Sequence, residues 1–244
     1  MKKIYLFLAF IVTSLSVSAQ IGYNYDQFSL GAGISSVKIH GDLNKAYKQA
    51  AYNVNFNYHY TPFVTFGVEA QFGKLASGNA DTAAVYYGEQ SLNKYTAIIL
   101  HADVQLGELI NYNDDFSAIP ILTKILNGAK NIYVGTGAGV IFNNMDYINR
   151  TDFNDPNITF AGLDKSNELI IPVRIGYEYK FYNAYDEPKV RLDLGYQANF
   201  SVGDNMDGFK SGASSDWYSQ ITFGIKIGIG GVTSYRKPIH VGAF

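Results

Sequence analysis

The chain of 244 residues is long enough for one β-rich domain, and its net charge of −2 leaves no basic footprint for nucleic acid. Without cysteine it forms neither disulfides nor thiolate metal sites. Only 16% of the residues are charged against 47% hydrophobic, and the 20 tyrosines are an excess that suits strands and water–lipid boundaries, where a ring keeps one end wet and the other greasy.

The chain opens on MKKIYLFLAFIVTSLSVSAQ. Lys2 and Lys3, an apolar run from Ile4 to Val12 and the small residues Val17-Ser18-Ala19 have the order of a secretory signal peptide, with cleavage expected after Ala19. The apolar run is too short to span a bilayer as a helix, and no later segment approaches the necessary length. Residues 1–19 are therefore read as the signal, 20–231 as the folded domain, and 232–244 as a tail or the bent end of a last strand.

From Phe28 onward, apolar and polar residues alternate with period two in eight stretches of about 9–13 residues, the length of a tilted strand that crosses a bilayer. They begin at Phe28, Tyr52, Val64, Ile98, Ile132, Leu169, Val190 and Trp217. The last is the clearest: in WYSQITFGIKIGIG, Trp217, Ser219, Ile221, Phe223, Ile225, Ile227 and Ile229 share one face, greasy for almost its whole length, and Tyr218, Gln220, Thr222, Gly224, Lys226, Gly228 and Gly230 share the other. Between the fourth and fifth stretches, Ser117, Pro120 and Asn127-Gly128 have the order of helix cap, first turn and stop. Phe116, Ile119, Leu122, Ile125 and Leu126 would give that helix, residues 117–127, one greasy stripe. It would lie at the inner lipid interface or bind a partner.

Such strands have two faces, and the inward one must be chosen. The polar faces carry Glu69, Asp103, Glu178 and Asp193 against Arg174, Arg191, Lys180 and Lys226, with many glycines between them. Glycine weakens a strand on a solvated surface but makes room in a crowded lumen. Glu69, Asp103, Arg174, Glu178, Arg191, Asp193 and Lys226 are accordingly expected to form an ion-paired network inside a water-poor barrel. The apolar faces end in aromatics, with Tyr58, Tyr60, Tyr177, Tyr179 and Trp217 placed as interfacial girdles. A soluble barrel would need the opposite assignment on every strand. Short links at Thr61-Pro62 and at 183–188 alternate with long polar loops near 40–50, 75–94, 144–167 and 203–215, as in bacterial barrels with periplasmic turns and outer loops.

Little in the sequence points to catalysis. His59 and His101 face inward, and Asp103 shares the face of His101, which is half of a hydrolase triad. No metalloprotease, nucleophile-elbow or phosphate-loop pattern is present. The acidic runs GDNMDG (203–208) and DFNDP (152–156) lack EF-hand spacing and read as solvated turns. No cofactor or metal is expected.

HGDLN (40–44), YTPFVTFGVEAQFGKLASG (60–78), YVGTGAGVIF (133–142) and DLGYQANFSVGDNMDG (193–208) together resemble the small OmpA-like outer-membrane β-barrel proteins common in Bacteroidota, without a peptidoglycan-binding domain. The resemblance implies an all-β, eight-stranded antiparallel up-and-down transmembrane barrel, inserted into the outer membrane by its assembly machinery. It also implies a non-catalytic structural or surface role, in which long outer loops meet an extracellular ligand. A narrow pore for small solutes or ions, and a lipid A-modifying enzyme acting through His101, are the alternatives.

Overall fold

The computed structural model describes residues 22–43, 45–78, 90–109, 128–152, 155–210 and 215–236. Within them run β1 (Gly22–His40), β2 (Ala46–Tyr47), β3 (Gln49–His59), β4 (Val64–Gly78), β5 (Gln90–Gln105), the single turn of helix α1 (Leu106–Leu109), β6 (Ile132–Asn149), β7 (Lys165–Tyr182), β8 (Pro188–Ser201) and β9 (Trp217–Arg236). Every pairing is antiparallel, in the order β4-β3-β1-β9-β8-β7-β6-β5, and β5 pairs back onto β4. Eight long strands thus close into a ring with no free edge, and β2 adds a two-residue flap beside β4. The chain is an up-and-down barrel.

The two faces are inverted relative to a soluble protein. Leu100 is 60% exposed and Leu169 61%, whereas Glu178 is 3% exposed and Arg191 2%. Outward residues such as Ile34, Phe56, Val173, Leu194 and Phe223 continue the greasy belt around the barrel. Each such side chain left in water forgoes about 1.5–3 kcal/mol of burial, so a belt of this size requires a lipid environment. Among the described residues no helix is long and apolar enough to cross a membrane. The strands are the spanning elements.

The strands are longer than the alternation suggests, from 11 residues in β3 to 20 in β9. Much of the expected loops 75–94 and 144–167 is strand, since Lys74–Gly78 pairs with Gln90–Lys94 and Gln90–Lys94 with Asn144–Asn149. The reason is physical. Beyond the lipid belt both faces are polar, so the period-two signal fades while the backbone ladder continues. At the far end of the last strand, Gly230 has φ 88° and the register to β1 slips between Asp26 and Phe28. That bulge ends the regular alternation, but β9 runs on to Arg236 rather than stopping at Gly231. Residues 1–19, the helix expected at 117–127 and residues 237–244 lie outside the described residues.

Both ends of the ring are tied. At the short-turn end, Glu108 of α1 accepts hydrogen bonds from Thr61 Oγ1 (2.9 Å) and the Tyr235 hydroxyl (3.1 Å), joining the β3–β4 turn to the end of β9. At the loop end the interior changes character. Val37, Ile39, Leu75, Tyr95, Ile99, Ile141, Ile170 and Tyr218 point inward and form one apolar cluster with Met206. The interior therefore has two storeys, a charged one in the middle and an apolar one beneath the outer mouth.

Candidate functional site in the lumen and at the outer mouth

The strand register brings the charged residues of five strands into two linked knots. In the first, Arg174 on β7 holds Glu69 on β4 through Nη1 (3.2 Å) and faces Asp103 on β5 through Nε (3.2 Å). Glu69 also accepts from Gln71 Nε2 (2.5 Å), and the Tyr218 hydroxyl donates to Gln71 Oε1 (2.8 Å). In the second, Lys226 on β9 lies between Glu178 on β7 (3.0 Å) and Asp193 on β8 (3.1 Å), with Arg191 at 3.6 Å from Glu178. Gln105 bridges this knot toward the turn end, donating to Glu178 (3.2 Å) and accepting from Lys180 (2.6 Å). The seven charges singled out on the polar faces are all buried and each has an opposite charge within ion-pair distance.

Three further participants join the seven. His59 takes Ser29 Oγ (3.0 Å), Thr65 Oγ1 (2.9 Å) and Arg191 Nη1 (3.0 Å), so a histidine joins the second knot. Lys180 also donates to the Pro62 carbonyl (3.0 Å), which anchors it near the turns. Tyr133 lies under Lys226, with the ammonium 5.8 Å from the ring centroid. Parity places His59, Lys180 and Tyr133 on the inward face, but only the register shows which strands they bridge.

The packing leaves little space. Beside Arg174 the gap lined by Asn53, Glu69, Tyr133, Asp193 and Thr222 measures about 10 Å³, room for about one water. The glycines make this density possible. A Cβ on Gly67 would meet the His101 ring, and one on Gly137 would run into the backbone of Leu100 and His101. His101 Nδ1 stands 3.0 Å from Asp103, but without hydrogen-bond alignment, and its Nε2 is turned to the space above Gly67. A nucleophile acting with His101 would have to occupy that space. Toward the turn end, among the described residues, the barrel opens into a cleft of about 820 Å³ whose lining includes Tyr23, Phe63, Lys130, Tyr177 and Lys180.

The outer mouth is closed by the β8–β9 loop, and here the expected solvated turn at 203–208 is corrected. Met206 and Asp207 are fully buried and Phe209 nearly so. Met206 and Phe209 supply apolar anchors on either side of the acidic residue, and the loop folds inward to bury them. Its backbone is then satisfied from the barrel wall. Ser91 Oγ donates to the Asp207 carbonyl, Asn93 Nδ2 to the Met206 carbonyl (2.8 Å) and Arg150 Nε to the Gly208 carbonyl (2.8 Å). Gly208 takes φ +82°, a backbone angle that suits glycine where the loop reverses.

Two carboxyl groups face each other inside this closure. Asp216 Oδ2 accepts from the amides of Met206 (2.7 Å) and Asp207 (3.3 Å); Asp207 accepts from Phe209 (3.0 Å) and Asp42 (2.9 Å). Asp207 Oδ2 and Asp216 Oδ1 converge over Gly41, where a Cβ would touch both. Burial, then the charge of Asp207, pushes Asp216 up to about 8; burial and the charge of Asp42 push Asp207 to about 6, against the pull of its backbone donors. Among the described residues no three His, Asp or Glu side chains gather as a metal site. In the run 152–156, Asp152 is buried, Asp155 caps the amide of Asn157 (3.0 Å), and 153–154 lie outside the described residues.

The aromatics placed as girdles fall at both ends of the belt. Tyr58, Tyr60, Tyr177 and Tyr179 lie toward the turns, with Tyr60 and Tyr179 exposed and Tyr58 and Tyr177 half-buried. Tyr58 packs on Phe28 (5.5 Å between centroids) and Tyr179 edge-on to Phe181 (4.9 Å). Trp217 stands at the loop end, stacked on His40 (3.8 Å) and Phe200 (5.6 Å).

No protein-family description and no curated protein matches the chain. Among solved structures, it is similar to Neisserial surface protein A at 14% identity over 83% of this chain and 97% of that one, with a TM-score of 0.47. It is also similar to Ail, the attachment invasion locus protein of Yersinia pestis, at 12% identity over 83% and 98% of the two chains, TM-score 0.42. A third is the outer membrane protein AlkL in DMPC lipid bilayers, at 11% identity over 93% and 97%, TM-score 0.38. The barrel assignment itself rests on the closed strand order and the inverted faces described above.

Proposed function

We propose that the chain, after loss of its signal segment, spans the bacterial outer membrane as a closed, non-catalytic barrel that acts through its outer end. The observation that carries this reading is the inversion of its faces: an exposed apolar belt around a buried, ion-paired interior. With both strand termini and the short turns at one end, that end faces the periplasm and the long connections face outward. The narrow-pore alternative is disfavoured by the two knots and by a mid-lumen gap fit for about one water. The apolar storey and the buried β8–β9 loop block the same axis again. The outer end is stapled by side chain to backbone bonds, which suits a surface of fixed shape presented to an extracellular partner or to neighbouring envelope components.

The decisive experiment is fractionation of cells producing the full chain, with unheated and heated samples of the outer-membrane fraction compared on a gel. A faster-migrating unheated band in that fraction is expected, and a soluble periplasmic protein without a heat shift would overturn the reading. Purified protein in planar bilayers should show no discrete openings. Regular single-channel steps would favour the pore.

A further inference from the structure

At the upper edge of the apolar belt the register sets a row of basic side chains side by side. Lys74 on β4 pairs with Lys94 on β5, Lys94 with Asn144 on β6, and Asn144 with Lys165 on β7. All four side chains point away from the barrel, and all four residues are exposed. One step down the same strands come Phe72, Thr96, Phe142 and Asn167, again paired straight across, and then the apolar belt through Ala70, Ile98, Val140 and Leu169. At about 4.8 Å per strand the row spans roughly 14 Å of wall.

Two lysines directly opposite each other repel, and nothing on the wall offsets this row in full. Asp146, the extra residue of β6 opposite Leu92 and Asn93, pairs with Lys74 at 3.3 Å, and Asp164 beside Lys165 is taken by Arg150 at 2.7 Å. Among the described residues neither Lys94 nor Lys165 has a carboxylate within ion-pair distance. Four cations, Lys74, Lys94, Lys165 and Arg150, therefore stand near two carboxylates. The opposite wall is sparser: above Ile34 and Tyr52 stand Ser36 and Ala50, and only one step further come Lys38, beside Ser219, and the exposed Lys48. A solvated surface would intersperse both signs, whereas here three lysines share one register row on one wall.

We infer that this row, Lys74, Lys94 and Lys165 with Asn144, is a docking surface for the phosphate groups of anionic lipids in the leaflet around the loop end. A lipid whose chains lie against Phe72, Phe142 and the belt would bring its headgroup phosphates to the height of the ammonium groups. Lysine stems lie along apolar surface while their heads reach the headgroup layer, and Asn144 adds a donor at the centre of the row. The surface holds lipid on the β4–β7 wall more firmly than on the β9–β1–β3 wall, where only Lys38 and Lys48 stand near the edge of the belt. This inference rests on the membrane reading, and the test separates the two.

The full mature chain is folded into vesicles of phosphatidylcholine alone and of phosphatidylcholine with phosphatidic acid or lipid A, and the temperature at which the compact gel band converts is read in each. In pure phosphatidylcholine a compact band is expected. Its absence would overturn the membrane reading and this inference together. The anionic lipid is expected to raise the conversion temperature of the wild type and of Lys38→Gln. For K94Q/K165Q the lipid fraction giving half the rise should increase roughly five-fold per lysine removed. K94R/K165R, which keeps both charges, should retain the rise. A folded wild type with no rise, or K94Q/K165Q responding like the wild type, would overturn the lipid docking alone. So would an equal rise produced by inorganic phosphate in pure phosphatidylcholine, because the grip would then not be on lipid.

Discussion

The middle of the lumen and the outer mouth both bury carboxylates, yet they satisfy them in opposite ways. Glu69, Asp103, Glu178 and Asp193 each lie beside a guanidinium or an ammonium. Asp207 and Asp216 lie beside each other and are held by backbone amides. The first arrangement is charge-balanced and couples five strands. The second places like charges together, needs a proton to be comfortable, and couples one loop to the rim. The same residue type is a lock in one storey and a latch in the other.

The largest expected effect comes from unbalancing the lock. Arg174→Met removes the cation shared by Glu69 and Asp103, leaving two buried carboxylates without it, a loss on the order of 3–5 kcal/mol. Urea unfolding of the protein in bilayers, followed by the compact gel band, should show that loss. Adding Glu69→Gln and Asp103→Asn should restore much of it, since the repaired site is neutral. A single Arg174→Met variant as stable as the wild type would mean that the knots contribute nothing, and the contrast with the mouth would collapse.

A smaller effect tests whether density as well as charge closes the lumen. Gly137→Ala forces a Cβ against the Leu100 carbonyl on the neighbouring strand and should cost about 1–3 kcal/mol. Gly231→Ala, where nothing stands within 4 Å, should be close to silent in the same measurement. Equal responses would mean that the wall gives way and that the tight fit at Gly137 has no energetic weight.

The sequence showed the lock more readily than the latch, for a physical reason. A strand inside the belt has two unlike surroundings, so Glu69, Arg174, Glu178 and Lys226 could be placed inward by parity alone. Which of them touch depends on strand stagger, which no single strand records; His59 meeting Arg191 and Gln105 joining Glu178 to Lys180 are consequences of register. The upper storey was harder to see, because Val37, Ile99 and Ile170 are apolar on the inward face and break the simple rule of polar lumen and greasy wall. The plug was hidden for another reason. Met206 and Phe209 are isolated apolar residues in a polar run, with no period to mark them as anchors. Asp207 and Asp216 stand nine residues apart, and they meet because residues 206–209 turn inward.

The smallest effect at neutral pH, and the one that separates latch from lock most cleanly, is the response of the mouth to alkali. Both Asp207 and Asp216 are raised above an ordinary carboxyl, to about 6 and about 8. A carboxyl raised in the folded state favours folding while it is protonated. That contribution is complete below the unfolded value near 3.8 and is lost as pH rises through the folded values. The loop closure should therefore hold at pH 6 and loosen toward about pH 9, as the second proton leaves and two anions face each other beside Asp42. Trypsin cleavage after Lys210, which is exposed on this loop, should accelerate several-fold over that range while the compact barrel band persists. Asp216→Asn keeps the two amide bonds to its side-chain oxygen and cannot ionise, so its cleavage should stay slow at both pH values. If the variant accelerates with pH as the wild type does, the titrating group lies elsewhere and the facing carboxyls are not the latch.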